Sequence, residues 1–337
     1  MKISQLLPKE YHERAAVQLE NIDKLMALDN VNGVALGNRV KNDTESDEPV
    51  ISVYVTQKLD PDLLDEKNAV PKKLKGVATD VVDVGDIFAG GIPDVALDQP
   101  PVGGSESPSV QTLRRRVRPV KGGYSVGHFQ ITAGTIGTCC YDLQPFPGIP
   151  PTYYILSNNH VLANSNNAQI GDPILQPGPI DGGTVARDTV ARLSRFVPIR
   201  FIDGDNRPCN FVDAAVAAAD FEDLNREIHW VGYVNRMYMA PKVDDIVKKC
   251  GRTTNFTTGR ITGVNATVDV NFGGGRVARF CRQITTTRMS AGGDSGSVVV
   301  NLDNDGVGLL FAGSSAMTIL NHLIFVQSLL RIRIAER

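Results

Sequence analysis

The sequence predicts a mainly β protein, built as a sandwich or a barrel, with a small α+β unit in front of it. Three observations support this fold class. From residue 124 onward, short β-type runs such as "YYILSNNHVLA", "DAAVAAAD" and "SGSVVVNL" follow one another with turn signals between them. These runs follow without intervening helical patterns, as is typical of sandwiches and barrels. The chain of 337 residues is also long enough for two or three hydrophobic cores.

The first element is a predicted amphipathic helix over residues 10–28. Its apolar residues recur at helical spacing and should share one face: Ala15, Ala16, Leu19, Ile22, Leu25 and Met26. The β-rich runs "VNGVALG", "PVISVYV" and "GVATDVVDVG" follow and offer that face its nearest apolar surface. We therefore predict a small α+β domain over residues 1–92. Its role stays open between an inhibitory pro-segment, a surface for homo-oligomer assembly, a docking module and a packed appendage.

A change of composition marks the next segment. Residues 93–119 are rich in Gly, Pro, Ser and Arg and poor in periodic apolar positions, which predicts a linker. Within it, "TLRRRVRP" is interpreted as an exposed stretch whose cleavage could regulate activity. The second domain is then expected over residues 120–337. It should end in a C-terminal helix that packs on the β body, because "HLIFVQSLLRIRI" has apolar residues at helical spacing.

Charge and hydropathy exclude several classes of partner. Apolar residues make up 42% and charged residues 21%, with a formal net charge of −2, which is ordinary globular usage. The sequence lacks an extended basic block, so we expect no nucleic-acid partner. It also lacks a run of roughly 20 apolar residues, and its N-terminus has no apolar core of signal-peptide length. We therefore expect no membrane partner and a cytoplasmic location.

The cysteines predict neither a metal site nor a disulfide framework. There are five, an odd number without CxxC spacing. We expect them to be reduced and mostly buried, and we expect neither a metal nor another cofactor.

Two short strings suggest catalytic chemistry. In "SAGGDSGSVVV", Ser295 lies among glycines whose backbone freedom lets consecutive N–H groups point at one oxyanion. A serine hydroxyl needs a base to become a nucleophile at neutral pH. Of the five histidines, His160 in "LSNNHVLA" is the best candidate, because it follows a strand end directly. Asp213 in "CNFVDAAVAAAD" has apolar neighbours, so its carboxylate must be paired, and it can orient the imidazole.

The order His160, Asp213, Ser295, with the strings "LSNNH", "DAAV" and "GGDSGS", resembles a trypsin-like serine peptidase of the chymotrypsin fold. This resemblance covers roughly residues 120–337. The strings "GTIGTCCYD", "QPGPIDGG", "CGRTTNFTTGRITG" and "GLLFAGS" are more specifically similar to bacterial peptidases of this type without signal peptides, related to the plant narrow-leaf-type proteases.

The resemblance implies two six-stranded antiparallel β-barrels with the triad in the cleft between them. It implies a serine endopeptidase that acts on protein or peptide substrates through an acyl-enzyme intermediate. The oxyanion donors would be the backbone N–H groups of Gly293 and Ser295. The strand "GLLFAGSS" would pair with substrate backbone, with Phe311, Ala312 and Gly313 as the wall of the specificity pocket. Met289 at the pocket floor brings no charge, which predicts an apolar or small P1 residue.

The sequence departs from the family in one respect that concerns activation. The processed N-terminus that is usually buried beside the aspartate of "GDSG", here Asp294, is not evident, so the activation route stays open.

The same strings allow other interpretations. His160 could be a buried histidine with both nitrogens satisfied, and "GGDSGS" could be an ordinary Gly-rich turn. An inactive protease-like module could use the same cleft to bind peptides. A P-loop enzyme is excluded, because no GK[ST] ends a Gly-rich loop.

Overall fold

A helix and four strands form the N-terminal α+β unit, which confirms that part of the fold prediction. The computed structural model describes residues 6–41, 44–60, 64–90, 113–143 and 150–334. In this part of the chain the first elements are α1 (His12–Leu25), β1 (Val31–Lys41), β2 (Thr44–Val55), β3 (Lys73–Leu74) and β4 (Val77–Asp83), followed by the short strand β5 (Phe88–Ala89).

The buried face of α1 differs from the predicted one. Leu19 was placed on the apolar face, yet 62% of it is exposed, whereas Gln18 is fully buried. The amide Nε2 of Gln18 donates to the backbone oxygens of Val34 and Asn265, both at 3.1 Å. A polar side chain is accepted in a core when its donors are paired, and a count of apolar residues cannot detect that pairing.

The first barrel is a closed ring of antiparallel strands. Its region contains β6 (Val120–Gly122), β7 (Ser125–His128), β8 (Gly134–Thr135), β9 (Thr138–Asp142), β10 (Tyr153–Ser157), α2 (Asn159–Leu162), β11 (Pro173–Leu175), α3 (Val185–Asp188), β12 (Thr189–Phe196), β13 (Cys209–Asn210), β14 (Ala215–Ala219) and β15 (Leu224–Ile228). The pairing runs from β9 through β10, β14, β12, β11 and β7 to β8. Strand β8 continues into β9 after two residues, so these two count as one strand and the resulting six strands close on themselves.

The second barrel is also closed by six antiparallel strands. They are β16 (Ile246–Gly251), β17 (Asn255–Asn271), β18 (Val277–Thr287), β19 (Val298–Asn301), β20 (Gly306–Gly313) and β21 (Met317–His322). The order β18-β21-β20-β19-β16-β17 returns to its start through the pairing of β17 with β18. Two barrels of the chymotrypsin type are therefore confirmed.

The chain ends on the first barrel. Helix α4 (Leu323–Leu330) confirms the predicted C-terminal helix, and the short strand β22 (Ile332–Arg333) follows it. Strand β22 pairs with β9, and three buried residues of α4 join the core of the first barrel: Leu323, Val326 and Leu330. The helix thus returns the chain from the second barrel to the first.

The N-terminal unit extends the second barrel. Strand β1 pairs with β17, with Gly33 opposite Val268 and Gly37 opposite Gly263. Apolar residues of α1, β1 and β2 share one hydrophobic cluster with residues of β16 to β21. The unit therefore buries its apolar face on the peptidase-like part, while the boundaries 1–92, 93–119 and 120–337 stay predictions.

Part of the predicted linker packs on the first barrel, and its first twenty residues, 93–112, lie outside the described residues. Leu113 is 1% exposed and accepts a hydrogen bond from the backbone N–H of Ser125. The side chain of Gln176 accepts from the N–H of Val117 and from the guanidinium of Arg118. Within residues 113–119 the chain is therefore held at several points.

The expectation of five reduced cysteines is wrong for two of them. Cys209 and Cys281 form a disulfide, with their Cα atoms 5.8 Å apart. The parallel pairing of β13 with β18 brings these residues together over a sequence separation of 72, which spacing alone does not indicate. Cys139, Cys140 and Cys250 are free and buried, as predicted. Burial raises the pKa of the Cys139 and Cys250 thiols to about 12.

Candidate active site

His160 and Asp213 come together at the end of the first barrel. His160 lies in the one-turn helix α2, directly after β10, and Asp213 lies just before β14, the strand that pairs with β10. The ring Nδ1 of His160 is 2.6 Å from Oδ2 of Asp213, and the backbone N–H of His160 donates to Oδ1 at 3.1 Å. Asp213 is fully buried, whereas 14% of the His160 side chain is exposed. The carboxylate therefore fixes both the ring and the backbone of the histidine.

Two asparagines hold Asp213 in place. Asn158 Nδ2 donates to the backbone oxygen of Asp213 at 2.7 Å, and the N–H of Asp213 donates to Asn321 Oδ1 at 2.9 Å. Asn321 lies on β21, so the second barrel helps to position an aspartate of the first. The sequence alone does not indicate this role of Asn321, because it depends on the contact between the two barrels.

The turn that carries Ser295 lies against the strand that leads to His160. The N–H of Thr135 donates to the backbone oxygen of Ser295 at 2.7 Å. Gly296 has φ +96°, and a Cβ there would lie 2.0 Å from Oγ of Ser157. Ser157 is three residues before His160 in the chain. Only glycine allows this close approach, so the Gly-rich turn has a specific structural reason.

The polar atoms that a serine nucleophile and its base would use are buried at this junction. Among the described residues, Nε2 of His160 and Oγ of Ser295 are both inaccessible to solvent and form no hydrogen bond. A buried polar atom without a partner is costly and calls for an explanation. The ring of His160 also meets Phe272 edge to face, with centroids 6.2 Å apart, so a loop of the second barrel covers it.

The serine turn presents two free amides. The hydroxyl of Thr253 donates to the backbone oxygen of Gly292 at 2.7 Å, and Oγ of Ser297 donates to that of Asp294 at 2.7 Å. In a trans peptide the next N–H points opposite to the carbonyl, so the N–H groups of Gly293 and Ser295 face away from these contacts. Neither N–H has an acceptor within the described part of the chain. Gly293 takes φ +92°, which favours glycine.

A buried ion pair supports the same turn. Nζ of Lys249 is 3.1 Å from Oδ2 of Asp294, and both side chains are fully buried. Asp294 also accepts from the N–H groups of Ala291, Thr253 and Thr254. Lys249 was not predicted as part of the site. The alternation along β16 could have found it, because Lys249 shares a strand face with the buried Val247.

A second ion pair joins the two barrels beneath the turn. Arg252 donates two hydrogen bonds to Asp181, from Nε to Oδ2 at 2.7 Å and from Nη2 to Oδ1 at 2.6 Å. Both side chains are almost fully buried. Asp181 belongs to the string "QPGPIDGG" of the first barrel, and a Cβ on Gly293 would lie 2.7 Å from Arg252 Nη1.

The predicted pocket residues lie beside the serine turn, with their side chains buried. The N–H of Gly296 donates to Leu310 O at 2.8 Å. Phe311, Ala312 and Gly313 come directly after Leu310 on β20, so they lie next to the turn. Phe311 packs on Phe280 in an apolar cluster. Met289 is 4% exposed and belongs to the cluster inside the second barrel. The substrate-binding roles of these four residues stay predictions.

The remaining histidines occupy other environments. Burial lowers the pKa of His322 to about 4, and burial also lowers the pKa of His229. His128 is fully buried and bonds to Asp172 at 3.0 Å. Within the described ranges we find no group of three or more His, Cys, Asp or Glu side chains that could hold a metal ion. Those ranges also contain no helix long and apolar enough to cross a membrane.

Two antiparallel barrels, with a histidine–aspartate pair on one and a Gly-rich serine turn on the other, are the arrangement of the trypsin-like serine peptidases. Comparisons with known proteins agree with that class. A family model described as the NARROW LEAF 1 N-terminal domain matches residues 19–86. Glutamyl endopeptidase 2 of Streptomyces griseus is 44% identical over 77 residues, which are 23% of this chain and 32% of that protein. The match therefore spans about a third of the relative's length. The predicted resemblance to both groups is confirmed.

Solved structures of bacterial proteases are also similar. Protease A of Thermobifida fusca has a TM-score of 0.45 at 13% identity, over 64% of this chain and 97% of its own. The chymotrypsin of Cellulomonas bogoriensis has a TM-score of 0.43 at 17% identity, over 65% of this chain and 99% of its own.

Proposed function

We propose that this protein is a serine endopeptidase with the triad His160, Asp213 and Ser295. The observation that carries the proposal is the junction of the two barrels. There, one ring nitrogen of His160 bonds to a buried carboxylate, while the other nitrogen and the serine hydroxyl are buried without partners. In the proposed reaction these two atoms form a hydrogen bond when substrate binds, since catalytic hydrogen bonds often tighten only in the complex.

In this mechanism His160 takes the proton of the Ser295 hydroxyl as its oxygen attacks a peptide carbonyl. The protonated ring then gives that proton to the departing amine, which leaves an acyl-enzyme ester on Ser295. Water hydrolyses the ester through the same groups in reverse order. Asp213 keeps the ring in the required tautomer and stabilises its positive charge.

The N–H groups of Gly293 and Ser295 would receive the negative charge on the carbonyl oxygen. Removal of one such donor typically costs about 3–4 kcal/mol in the barrier. Lys249 gives Asp294 a cationic partner from within the chain. We infer that this ion pair keeps the turn in shape without a newly processed N-terminus.

The specificity proposal remains an apolar or small P1 residue. The wall residues Phe311, Ala312 and Gly313 and the floor residue Met289 carry no charge that would select a basic or an acidic side chain. The curated relative is a glutamyl endopeptidase, so glutamate is the alternative. A peptide library scanned at P1 distinguishes these cases, and strong cleavage after Glu, Lys or Arg would reject the proposal.

The test of the peptidase function is labelling by a fluorophosphonate, which reacts with activated serines. We expect one label per chain on Ser295, and its loss in Ser295→Ala and His160→Ala. The matched control is Ser328→Ala, since Ser328 lies exposed on α4. A folded protein that stays unlabelled and cleaves no peptide would instead be a peptide-binding module without catalysis.

A further inference from the structure

One edge of β20 lies directly beside the serine turn. On one side β20 pairs with β21, with Ala312 opposite Ile319 and Gly313 opposite Thr318. On its other side the pairing with β19 ends at Leu309, and the bond from Gly296 N–H to Leu310 O follows. The backbone of residues 311–313 therefore forms a strand edge that β19 does not cover. Such an edge can bind an extended peptide by adding it as a further strand.

Residues of the N-terminal unit occupy this edge. Strand β5 pairs with it in antiparallel register, with Ala89 opposite Ala312 and Phe88 opposite Gly313. The N–H of Gly90 donates to Phe311 O at 2.9 Å. On the far side of the segment, the N–H of Asn271 donates to the backbone oxygen of Ile87 at 2.9 Å. Residues 87–90 are thus held between β20 and the end of β17.

We propose that residues 87–90 are an internal occupant of the peptide-binding edge, and that a substrate binds there only after they leave. The proposal rests on the proposed peptidase function. Each backbone N–H and C=O along a strand edge pairs with one added strand, so β5 and a substrate exclude each other. The N-terminal unit is then an inhibitory segment, one of the roles that the sequence left open.

The side chains of the segment match the proposed specificity. Ile87 is 3% exposed and shares an apolar cluster with Phe311, Ala312 and Met317. Phe88 and Ala89 are half-buried, and Ala89 packs against the same cluster. Residues 87–90, Ile-Phe-Ala-Gly, are uncharged, apolar and then small. The edge thus accommodates a peptide of the kind predicted for the substrate.

The attachment of the segment is short, which makes displacement physically reasonable. Strand β5 has only two residues. Before it, the chain is tied to the N-terminal unit by the N–H of Val84 on Val55 O at 2.9 Å and by Asn32 Nδ2 on Gly85 O at 2.8 Å. Segments with few hydrogen bonds open at low free-energy cost, although a tethered occupant competes at a high effective concentration.

The main test is Gly90→Pro. Proline removes the N–H that donates to Phe311 O, and it cannot adopt the φ of +82° at this position. We expect kcat/KM for an uncharged tetrapeptide substrate to rise at least tenfold, mainly through a lower KM. The rate of labelling by a small fluorophosphonate, which needs only the serine and its turn, should change less than threefold.

Gly76→Pro is the matched control, because Gly76 has a similar φ of +87° in the turn before β4 and lies in open space. It should leave both rates unchanged. Normal labelling with unchanged or lower peptide turnover in Gly90→Pro would overturn this inference and leave the peptidase function standing. Absence of labelling in every variant would overturn the peptidase function, and this inference with it.

A second measurement does not depend on turnover. The synthetic peptide VGDIFAG, residues 84–90, should bind the Gly90→Pro/Ser295→Ala protein in a calorimeter, whereas a scrambled peptide should not. If Gly90→Pro fails to fold, Asn32→Ala is the milder variant, because it removes only the bond from Asn32 to Gly85 O that holds the chain before β5. It should raise peptide turnover about two- to fivefold. Failure of VGDIFAG to bind, or unchanged turnover in Asn32→Ala, contradicts the proposal.

Discussion

The serine turn and the strand edge beside it are held in opposite ways. The turn is held by the buried side chains of Lys249, on Asp294, and Arg252, beside Gly293, and by the half-buried Thr253, on Gly292 O. The edge at residues 311–313 is covered by a two-residue strand from another part of the chain. The proposed chemical machinery is therefore built in advance, whereas access to it depends on a weakly attached segment.

Regulation of such a fold can therefore act at the edge more easily than at the turn. A buried ion pair cannot be broken without a large cost, because an unpaired charge remains in the core. A short edge strand can leave while the barrel beneath it stays closed, since β20 keeps its pairing with β21. We therefore expect that changes at the turn abolish activity and that changes at the edge increase it.

The largest effect should come from Lys249→Met. Loss of the ammonium leaves the Asp294 carboxylate buried without its cation, which typically costs about 3–5 kcal/mol in the free energy of unfolding. The shape of the turn should be lost with it, and kcat/KM should fall at least ~100-fold, the magnitude expected for one lost oxyanion donor. Urea unfolding and tetrapeptide kinetics measure the two effects.

Lys248→Met is the matched control for this change. Lys248 is the neighbouring lysine, half-buried, and its Nζ is 3.4 Å from Leu302 O. We expect its free energy of unfolding to change by less than about 0.5 kcal/mol. Equal effects of the two substitutions would mean that the turn does not depend on the buried ion pair, and the contrast between turn and edge would fail.

The sequence predicted those parts of the site that short strings determine. Ser295 and His160 were chosen because each lies in a local pattern, a Gly-rich turn and a strand end, that suits its chemistry. The two barrels followed from many short strands and from the resemblance that these strings carry. The roles of Ser295 and His160 in catalysis remain the proposal that fluorophosphonate labelling tests.

The parts that the sequence did not predict depend on contacts between distant segments. Asn321 supports Asp213 across the junction of the barrels, 108 residues away. The disulfide of Cys209 depends on a parallel strand pair that no local pattern indicates. The strand that covers the edge was predicted only as part of an α+β unit. Periodicity describes which face a residue lies on, but not which segment it meets.

The second-largest effect should come from the titration of His322, which makes the free energy of unfolding depend on pH. His322 lies on β21, opposite Gly308 of β20, so it reports on the pairing that must persist when β5 leaves. Burial lowers its pKa to about 4, whereas an unfolded chain has a histidine pKa of about 6.5. Below pH 6.5 the unfolded state binds the proton first, so stability should fall by about 2 kcal/mol from pH 7 to pH 5.

Urea unfolding at the two pH values measures this difference. His322→Phe keeps an aromatic ring beside Phe325 and removes the titrating group, so the variant should lose about 2 kcal/mol of the pH dependence. An unchanged difference in the variant would show that other groups cause it. The pH dependence of stability would then not measure the environment of His322 in the β20–β21 pair.

The smallest effect should come from Thr253→Val, which tests how firmly the turn is oriented. The hydroxyl of Thr253 holds Gly292 O, and this contact keeps the N–H of Gly293 on the opposite side. Without it the peptide between these glycines can rotate, and we expect kcat to fall about tenfold while KM changes little. The free energy of unfolding should fall by about 1 kcal/mol.

Thr253→Ser keeps the hydroxyl and should restore kcat, because the hydroxyl and not the methyl group bonds to Gly292 O. If Thr253→Val retains full kcat, the hydroxyl of Thr253 does not orient the turn, and the contacts that distinguish the turn from the edge are the buried groups around Asp294 and Arg252.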